Sequence, residues 1–483
     1  MIEQTPGECF DLVIIGGGPA GMAVALEARR AGVRSICVLD EGRALGGQIY
    51  RRFAPAFRVV DAHRVGHEFL EGQELIEAVG RTGVEVRAGT MVWGVWDKRI
   101  AWVQEEAMTS GVIDARIIVL ATGARDRPVA FPGWTLPGVM TAGAAKALVG
   151  VGRVLPGRRV LMAGSGPLAL AFSAQLRGYG VNVVEVVEAA PAPGLRTLTG
   201  LARTIDRGTL IEAVRYRLAL LRHRIALCTS TIIIRAEGTS SVERAVVAKV
   251  DREWRPIKGT ERAIEVDTIL LGYGLEASSE LSRLMGCRQR YEQDLGGWIP
   301  VRDELMRTSI AGVLSVGDGS GVAGSRNALV EGRVAGNAAA QELGLLAQVQ
   351  VDERTRADRD ALRRMARFRN ALGRIYRVGP GVHELATEAT TVCRCEEVTA
   401  GEIEALIGSG VRETHEVRAL SRAGMGRCQG RNCASHLAAQ LARATGRSVD
   451  QVAPLSVRPP IKPVPIAAIA ARRAQHEAEI ELR

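Results

Sequence analysis

Four cysteines near the C-terminal end are of a type and spacing that can hold a redox centre. Cys393 and Cys395 form a CxC pair, and Cys428 and Cys433 follow after 32 intervening residues. Thiolates clustered this closely in a chain of a reducing compartment more often ligate metal or iron–sulfur than pair as disulfides. Four thiolates complete the coordination of a [2Fe–2S] cluster. Zinc is the rival, although zinc ribbons use CxxC knuckles and a CxC pair fits them poorly. Gly424 and Gly426, just before Cys428, would expose backbone N–H groups to cluster sulfides. A helix expected over Ala434–Ala444 begins directly after Cys433, where its positive end favours a thiolate. His415 and His436 are not paired as Rieske ligands would be and read as surface polar residues. Cys9, Cys37, Cys228 and Cys287 are scattered, and two of them read as small core residues.

A second chemistry lies in two glycine loops. Gly16-Gly17-Gly18-Pro19-Ala20-Gly21 can cradle a pyrophosphate. Gly16 permits the tight turn, Gly18 allows close approach, and Gly21 lets a helix pack on a strand. Asp40, with Glu41 after it, lies 24 positions beyond Gly16, where a carboxylate accepts hydrogen bonds from an adenosine ribose. Gly164-Ser165-Gly166-Pro167-Leu168-Ala169 repeats the pattern, and Glu188 is again 24 positions on. An acid there favours a ribose 2′-OH and repels a 2′-phosphate, so NAD is preferred to NADP. The alternatives are another nucleotide, or a fold kept for structure with no nicotinamide bound.

These residues need strands and helices to hold them. Phe10–Ile15, a helix over Gly18–Ala31 and Ser35–Leu39 make one βαβ unit. Arg159–Ala163, the second loop and Val181–Val187 make another. Ile117–Leu120 before Ala121-Thr122-Gly123, Ile269–Leu271 before Gly272, and Val313–Val316 before Gly317-Asp318 read as returning strand ends. An arginine-rich helix is expected over about Val351–Val378, serving as a docking surface or simply as a solvated face. The fold class is therefore α/β: two Rossmann-like dinucleotide-binding domains plus a small C-terminal α-helical [2Fe–2S] domain. Expected boundaries are 1–127 with 297–345 for the first, 128–296 for the second, 346–389 for the helical linker, 390–455 for the cysteine domain and 456–483 for a tail.

Bulk properties agree. A chain of 483 residues is too long for one core. Apolar residues at 47% and charged residues at 24% are ordinary for a globular protein. The net charge of +10 with only 4% aromatics lacks the stacking residues of a nucleic-acid surface. It is read as attraction for anionic cofactors or an acidic partner. No apolar run reaches transmembrane length, and no signal peptide is evident. A cytoplasmic location is expected, or a peripheral one at the inner membrane through a complex.

Over roughly residues 10–345 the chain resembles the two-dinucleotide-domain flavoproteins of the glutathione and thioredoxin reductase type. Thr308–Asp318 resembles their second FAD motif, and the resemblance implies that Gly317 and Asp318 hold the ribityl chain of FAD. Ala328–Gly332, including Glu331, resembles the helix that starts near the isoalloxazine ring. Gly46-Gly47-Gln48 and Ala121-Thr122-Gly123-Ala124 also match positions near FAD. The redox-active cysteine pair of the disulfide reductases is missing, which argues against thiol–disulfide chemistry.

The cysteine region resembles bacterioferritin-associated-ferredoxin-like domains. The combined motifs Cys393–Val398 and Ala423–Arg431 resemble the α subunits of opine oxidases, hydroxyproline dehydrogenases and hydrogen cyanide synthase. That resemblance implies an electron-transfer subunit containing FAD and [2Fe–2S]. A FAD-containing β subunit of D-amino-acid-oxidase-like type would oxidise the C–N bond of an amino or imino acid. The family resemblance also leaves room for a small ferredoxin-like γ subunit and for FMN at a subunit interface. The rival functions are a self-sufficient NADH-dependent reductase and a nucleotide-binding scaffold without working sites.

Overall fold

The computed structural model describes residues 8–54, 56–60, 67–194 and 207–470. The alanine-rich end of the expected tail, 471–483, lies outside the described residues. The chain forms two compact units. One comprises 1–124, 277–366 and 457–483; the other comprises 125–276 and 367–456.

The first unit is built on a seven-stranded sheet. Glu85–Arg87, Ile36–Leu39, Glu8–Ile15 and Thr109–Leu120 lie side by side in parallel, and Val313–Ser315 pairs with the end of Thr109–Leu120. Ile36–Leu39 is buried throughout, as expected of a parallel strand covered on both faces. An antiparallel meander through Arg99–Gln104 and Met91–Trp96 extends the sheet. Side chains alternate across it. Leu12 and Ile14 face the helices Pro19–Arg30 and Ser325–Glu342, while Val13 and Ile15 face a cluster containing Ile100, Ile113, Leu281 and Ile461.

The second unit repeats the plan. Ala226–Cys228, Asn182–Glu188, Arg159–Gly164, Thr268–Gly272 and Val139–Thr141 form a parallel five-stranded sheet. Val160 and Met162 pack beneath the helices Ala142–Gly150, Pro167–Gly178 and Arg207–Arg222. Leu161 and Ala163 face the other way, toward the antiparallel sheet Thr231–Glu237, Arg244–Lys249 and Arg262–Glu265.

The cysteine-bearing segment shares its core with the second Rossmann-like region. Its core residues Val392, Cys393, Ile403, Leu437, Leu441 and Val452 belong to one cluster with Phe131, Trp134, Trp254 and Tyr273 of the second Rossmann-like region. The Trp134 indole N–H donates to the Thr391 carbonyl at 2.6 Å. Gly379 and Gly381 lie so close to the backbone of Glu253 and Trp254 that an added Cβ would come within 2.5 Å of it. A segment of this size buries a smaller share of its surface than a larger domain does, and the shared cluster adds to that burial.

The expected arginine-rich helix spans Gln348–Tyr376. Part of its charge is met internally: Arg359 pairs with Asp352 and Glu304, and Arg363 with Asp360 and Glu304.

Candidate functional site

The first glycine loop joins Glu8–Ile15 to the helix Pro19–Arg30, with Gly18 as N-cap and Pro19 in the first turn. No side chain caps this helix, and its first turn holds no acid, so its N–H groups and positive end face outward for an anion. Gly16 has φ +112°, and a Cβ there would lie 2.2 Å from the Ala121 carbonyl oxygen. A Cβ on Gly21 would lie 1.9 Å from the Gly16 carbonyl oxygen. Both positions are closed to any side chain. Gly47 rests on Gly18, where a Cβ would come 2.8 Å from the Gly18 Cα, which brings Gly47-Gln48 to the loop.

Asp40 Oδ2 accepts the Gly17 N–H at 2.5 Å and Oδ1 accepts the Gly42 N–H at 2.6 Å. Burial raises its pKa and these two bonds oppose the rise. A carboxylate has about four acceptor positions, so two remain for hydroxyl donors. Glu41, expected beside it, points elsewhere: it is exposed and pairs with Lys462.

Gly317-Asp318 closes on this loop. A Cβ on Gly317 would lie 3.0 Å from that of Ala20, and one on Gly319 would lie 2.5 Å from the Thr122 hydroxyl. The Thr122 hydroxyl donates to the Ser278 carbonyl at 2.7 Å. Asp318 Oδ1 accepts the N–H groups of Ala323 and Gly324, both at 2.9 Å, and burial raises its pKa. Thus Gly16, Gly18, Pro19, Ala20, Gly21, Asp40, Gly47, Gln48, Thr122, Gly123, Gly317 and Asp318 share one region.

Glu331 is 4% exposed. It accepts from Arg302 at 2.6 and 2.7 Å, from the Gly317 N–H at 2.7 Å and from Asn327 at 2.8 Å. With these four donors, Glu331 positions Gly317. Arg302 and Asn327 carry no sequence motif and emerge only here. So does Gly336, which with Gly332 marks where the helix Ser325–Glu342 crosses Pro19–Arg30. A Cβ on Gly332 would lie 2.4 Å from the Ala20 carbonyl oxygen, and one on Gly336 would lie 2.8 Å from the Glu27 Cβ.

None of the eight cysteines is in a disulfide. Burial pushes the Cys37 thiol up to about 12, which suits an inert core residue.

The second loop matches the first in spacing but differs in backbone. Here Gly166 is the residue with positive φ, at +100°, whereas Gly18 has φ −75°. A Cβ on Gly164 would lie 2.4 Å from the Gly272 carbonyl oxygen. Glu188 accepts the N–H groups of Gly166 at 2.8 Å and Ala190 at 2.9 Å.

The four clustered cysteines converge in two pairs. Cys393 and Cys433 are hydrogen-bonded to each other, as are Cys395 and Cys428. Among the described residues no group of three or more His, Cys, Asp or Glu side chains is set to hold a single metal ion. Two pairs of thiols are what a two-iron cluster uses, one pair on each iron. Cys393 also accepts the N–H groups of Gly424, Glu396 and Cys395, and its thiol falls to about 5, the Cys433 hydrogen bond being the largest cause. The thiolate is therefore favoured at Cys393. Cys433, expected to benefit from the helix Ala434–Thr445, is driven up because it donates to Cys393 and is buried. Gly426 lets its loop lie on Cys395, since a Cβ would come 2.2 Å from the Cys395 Cβ.

His436 is not a surface residue: it is 6% exposed, and its ring meets that of His383 at 6.2 Å. The reason is the helix pattern, which turns His436, Leu437, Gln440 and Leu441 inward together. Burial depresses His383 to about 3 and His436 to about 4. Their folded values lie below the unfolded value of about 6.5. Their neutral burial therefore costs nothing above pH 6.5, and stability is lost as pH falls toward 4 and 3. Each unit of displacement is worth roughly 1.4 kcal/mol, so guanidinium unfolding should show a loss of several kcal/mol between pH 7 and 4.5. His436→Leu should lose clearly less over the same interval. Equal losses in both proteins would assign the acid sensitivity elsewhere.

No helix among the described residues is long and apolar enough to cross a membrane.

The pyridine nucleotide-disulphide oxidoreductase family model matches residues 10–342, and the sarcosine oxidase A3 domain model matches residues 387–473. The A-subunit of opine oxidase from Rhizobium meliloti is 33% identical over 471 residues, covering 96% of this chain and 88% of that protein. Hydrogen cyanide synthase subunit HcnB of Pseudomonas aeruginosa is 33% identical over 461 residues, covering 94% of this chain and 97% of that protein. Among solved structures, L-proline dehydrogenase from P. horikoshii superposes with a TM-score of 0.68 at 21% identity, over 97% of this chain and 81% of that one. Thioredoxin reductase of T. acidophilum superposes with a TM-score of 0.51 at 18% identity, over 70% of this chain and 99% of that one. Both structural likenesses bear on the fold alone.

Proposed function

We propose a function from a fixed premise: the chain belongs to the family of the opine oxidase A-subunit and hydrogen cyanide synthase subunit HcnB, built on the pyridine nucleotide-disulphide oxidoreductase fold. It is a flavin oxidoreductase. In our reading it is the electron-transfer subunit of a heteromeric dehydrogenase that acts on the C–N bond of an amino or imino acid. Substrate oxidation takes place in a partner β subunit that carries its own FAD. The relatives support a partner, because the opine oxidase, hydrogen cyanide synthase and sarcosine oxidase chains are each named as one subunit of an enzyme.

The single observation that carries the reading is the pairing of Cys393 with Cys433, both in the core of the second unit, and of the half-buried Cys395 with Cys428. A subunit that only bound nucleotide would have no use for four converging thiols.

The residues fit both groups. The open helix N-terminus at Gly18–Ala20 would take the pyrophosphate of FAD, Asp40 the adenosine ribose, and Gly317-Asp318 the ribityl chain. Cys393, Cys395, Cys428 and Cys433 would ligate a [2Fe–2S] cluster, and Gly424 and Gly426 keep side chains out of its loop. When bound, FAD supplies two-electron acceptance with one-electron release, and the cluster supplies single-electron transfer. The chain itself binds, orients and tunes. Asp40 holds the first loop through Gly17, Glu331 holds Gly317, and Trp134 fixes the strand that carries Cys393.

Co-expression with a candidate FAD-containing β subunit of D-amino-acid-oxidase-like type tests the reading. The complex should reduce a dye at the expense of a cyclic or N-substituted amino acid, the isolated chain should not, and both should contain iron. A partnerless chain that oxidises the amino acid by itself, or a complex without iron, would refute it.

A further inference from the structure

The two glycine loops share spacing and their acidic partner, yet they are covered differently. A Cβ on Gly18 would meet only the Cα of Gly47, at 3.7 Å. That neighbour has no side chain, so the face of Gly18 stays free for a ligand. A Cβ on Gly166, the equivalent residue, would meet the ring of Tyr376, with Cγ at 3.9 Å. In dinucleotide folds this second glycine exists so that the pyrophosphate can approach the backbone. In the second loop that approach is taken by a tyrosine.

Three further observations bear on the same place. Tyr376 is the last residue of the helix Gln348–Tyr376 and packs against the core of the second unit, so its ring is held and does not hang in solvent. The Gly166 N–H, one of the loop's donors for an anion, is given to Glu188 at 2.8 Å. Glu188 lies near enough to Tyr376 to help push its phenol up, after burial. Asp40 takes a loop N–H in the first loop as well, so the difference at the second loop is the ring that a pyrophosphate approaching Gly166 would meet.

We propose that Tyr376 closes the second glycine loop, so that this Rossmann-like sheet serves as scaffold and nicotinamide dinucleotides do not bind to it. Tyr376 is thus the specificity-determining residue that separates this chain from reductases that draw electrons from NADH. The proposal does not depend on the substrate or partner given above.

The test is equilibrium dialysis of NAD+ against the full chain with its flavin bound, for wild type, Tyr376→Gly and Tyr376→Phe. Wild type and Tyr376→Phe should show no saturable binding up to the millimolar range, because the ring and not the hydroxyl does the blocking. Tyr376→Gly should gain at least tenfold in affinity. Retained flavin absorbance and an unchanged unfolding midpoint show that the variant is folded, and Tyr376→Ser replaces it if it is not. Saturable micromolar binding by wild type overturns the proposal whatever the variants do. So does a folded Tyr376→Gly or Tyr376→Ser that gains nothing.

Discussion

Cys433→Ser is expected to remove the iron from the purified chain and to lower the stability of the second unit by more than about 3 kcal/mol. Two effects add. The thiol is fully buried in a cluster that also holds Leu437, Leu441 and Val392, so a hydroxyl there must find a new hydrogen bond or remain unsatisfied, at roughly 1–3 kcal/mol. The larger effect is ligation. Metal binding free energy is folding free energy wherever the site is built by the fold, and structural metal sites contribute on the order of 10 kcal/mol. Without Cys433 only three of the four thiolates remain to hold the cluster. Iron and acid-labile sulfide per chain, the visible spectrum and guanidinium unfolding report the outcome. Cys9→Ser, at an exposed cysteine, should change none of them. A Cys433→Ser protein with full iron content would remove Cys433 from the ligand set, and zinc in the purified chain would make the centre a different one.

Gly332→Val should reduce FAD affinity by at least a hundredfold while leaving the iron content intact. Gly332 ends the motif Ala328–Gly332, but the motif does not say what this glycine packs against. Its importance is that the helix Ser325–Glu342 lies on Pro19–Arg30 with no room between them: a Cβ would stand 2.4 Å from the Ala20 carbonyl oxygen and 2.6 Å from the Ala23 Cβ. Valine must force the helices apart, at a cost of about 1–3 kcal/mol or more. Ala20 belongs to the first glycine loop, and Gly317-Asp318 reaches that loop through the same contact region. The displacement therefore acts on both halves of the FAD cradle. Flavin fluorescence during titration of the apoprotein measures it. Gly332→Ala should move affinity in the same direction by less, and Gly178→Ala, where an added Cβ meets nothing within 4 Å, should be silent. Wild-type affinity in Gly332→Val would mean that the two helices do not position the loop.

The first glycine loop, its acid and the four cysteines are legible in the sequence because each depends on local spacing. A pyrophosphate loop needs glycines at fixed offsets after a strand, and Asp40 ends the very next strand. Local spacing also leaves partners out. Glu331 lies in a motif, yet its ion pair with Arg302, 29 residues before it, is visible only in the fold. His436 is a polar residue on a helix, and only the neighbouring core shows that its face turns inward. The cysteine segment has a motif of its own, but its core is shared with Phe131 and Trp254, more than 100 residues upstream.

What the sequence determined by itself is therefore the set of chemical groups and the two βαβ frames, since strand–loop–helix geometry follows from residues within about 30 positions of one another. What only tertiary structure decided is which of those groups can still meet a ligand. Gly18 and Gly166 occupy the same place in the same pattern. One faces a glycine and the other a tyrosine brought from 210 positions away, and no local rule of spacing contains that difference.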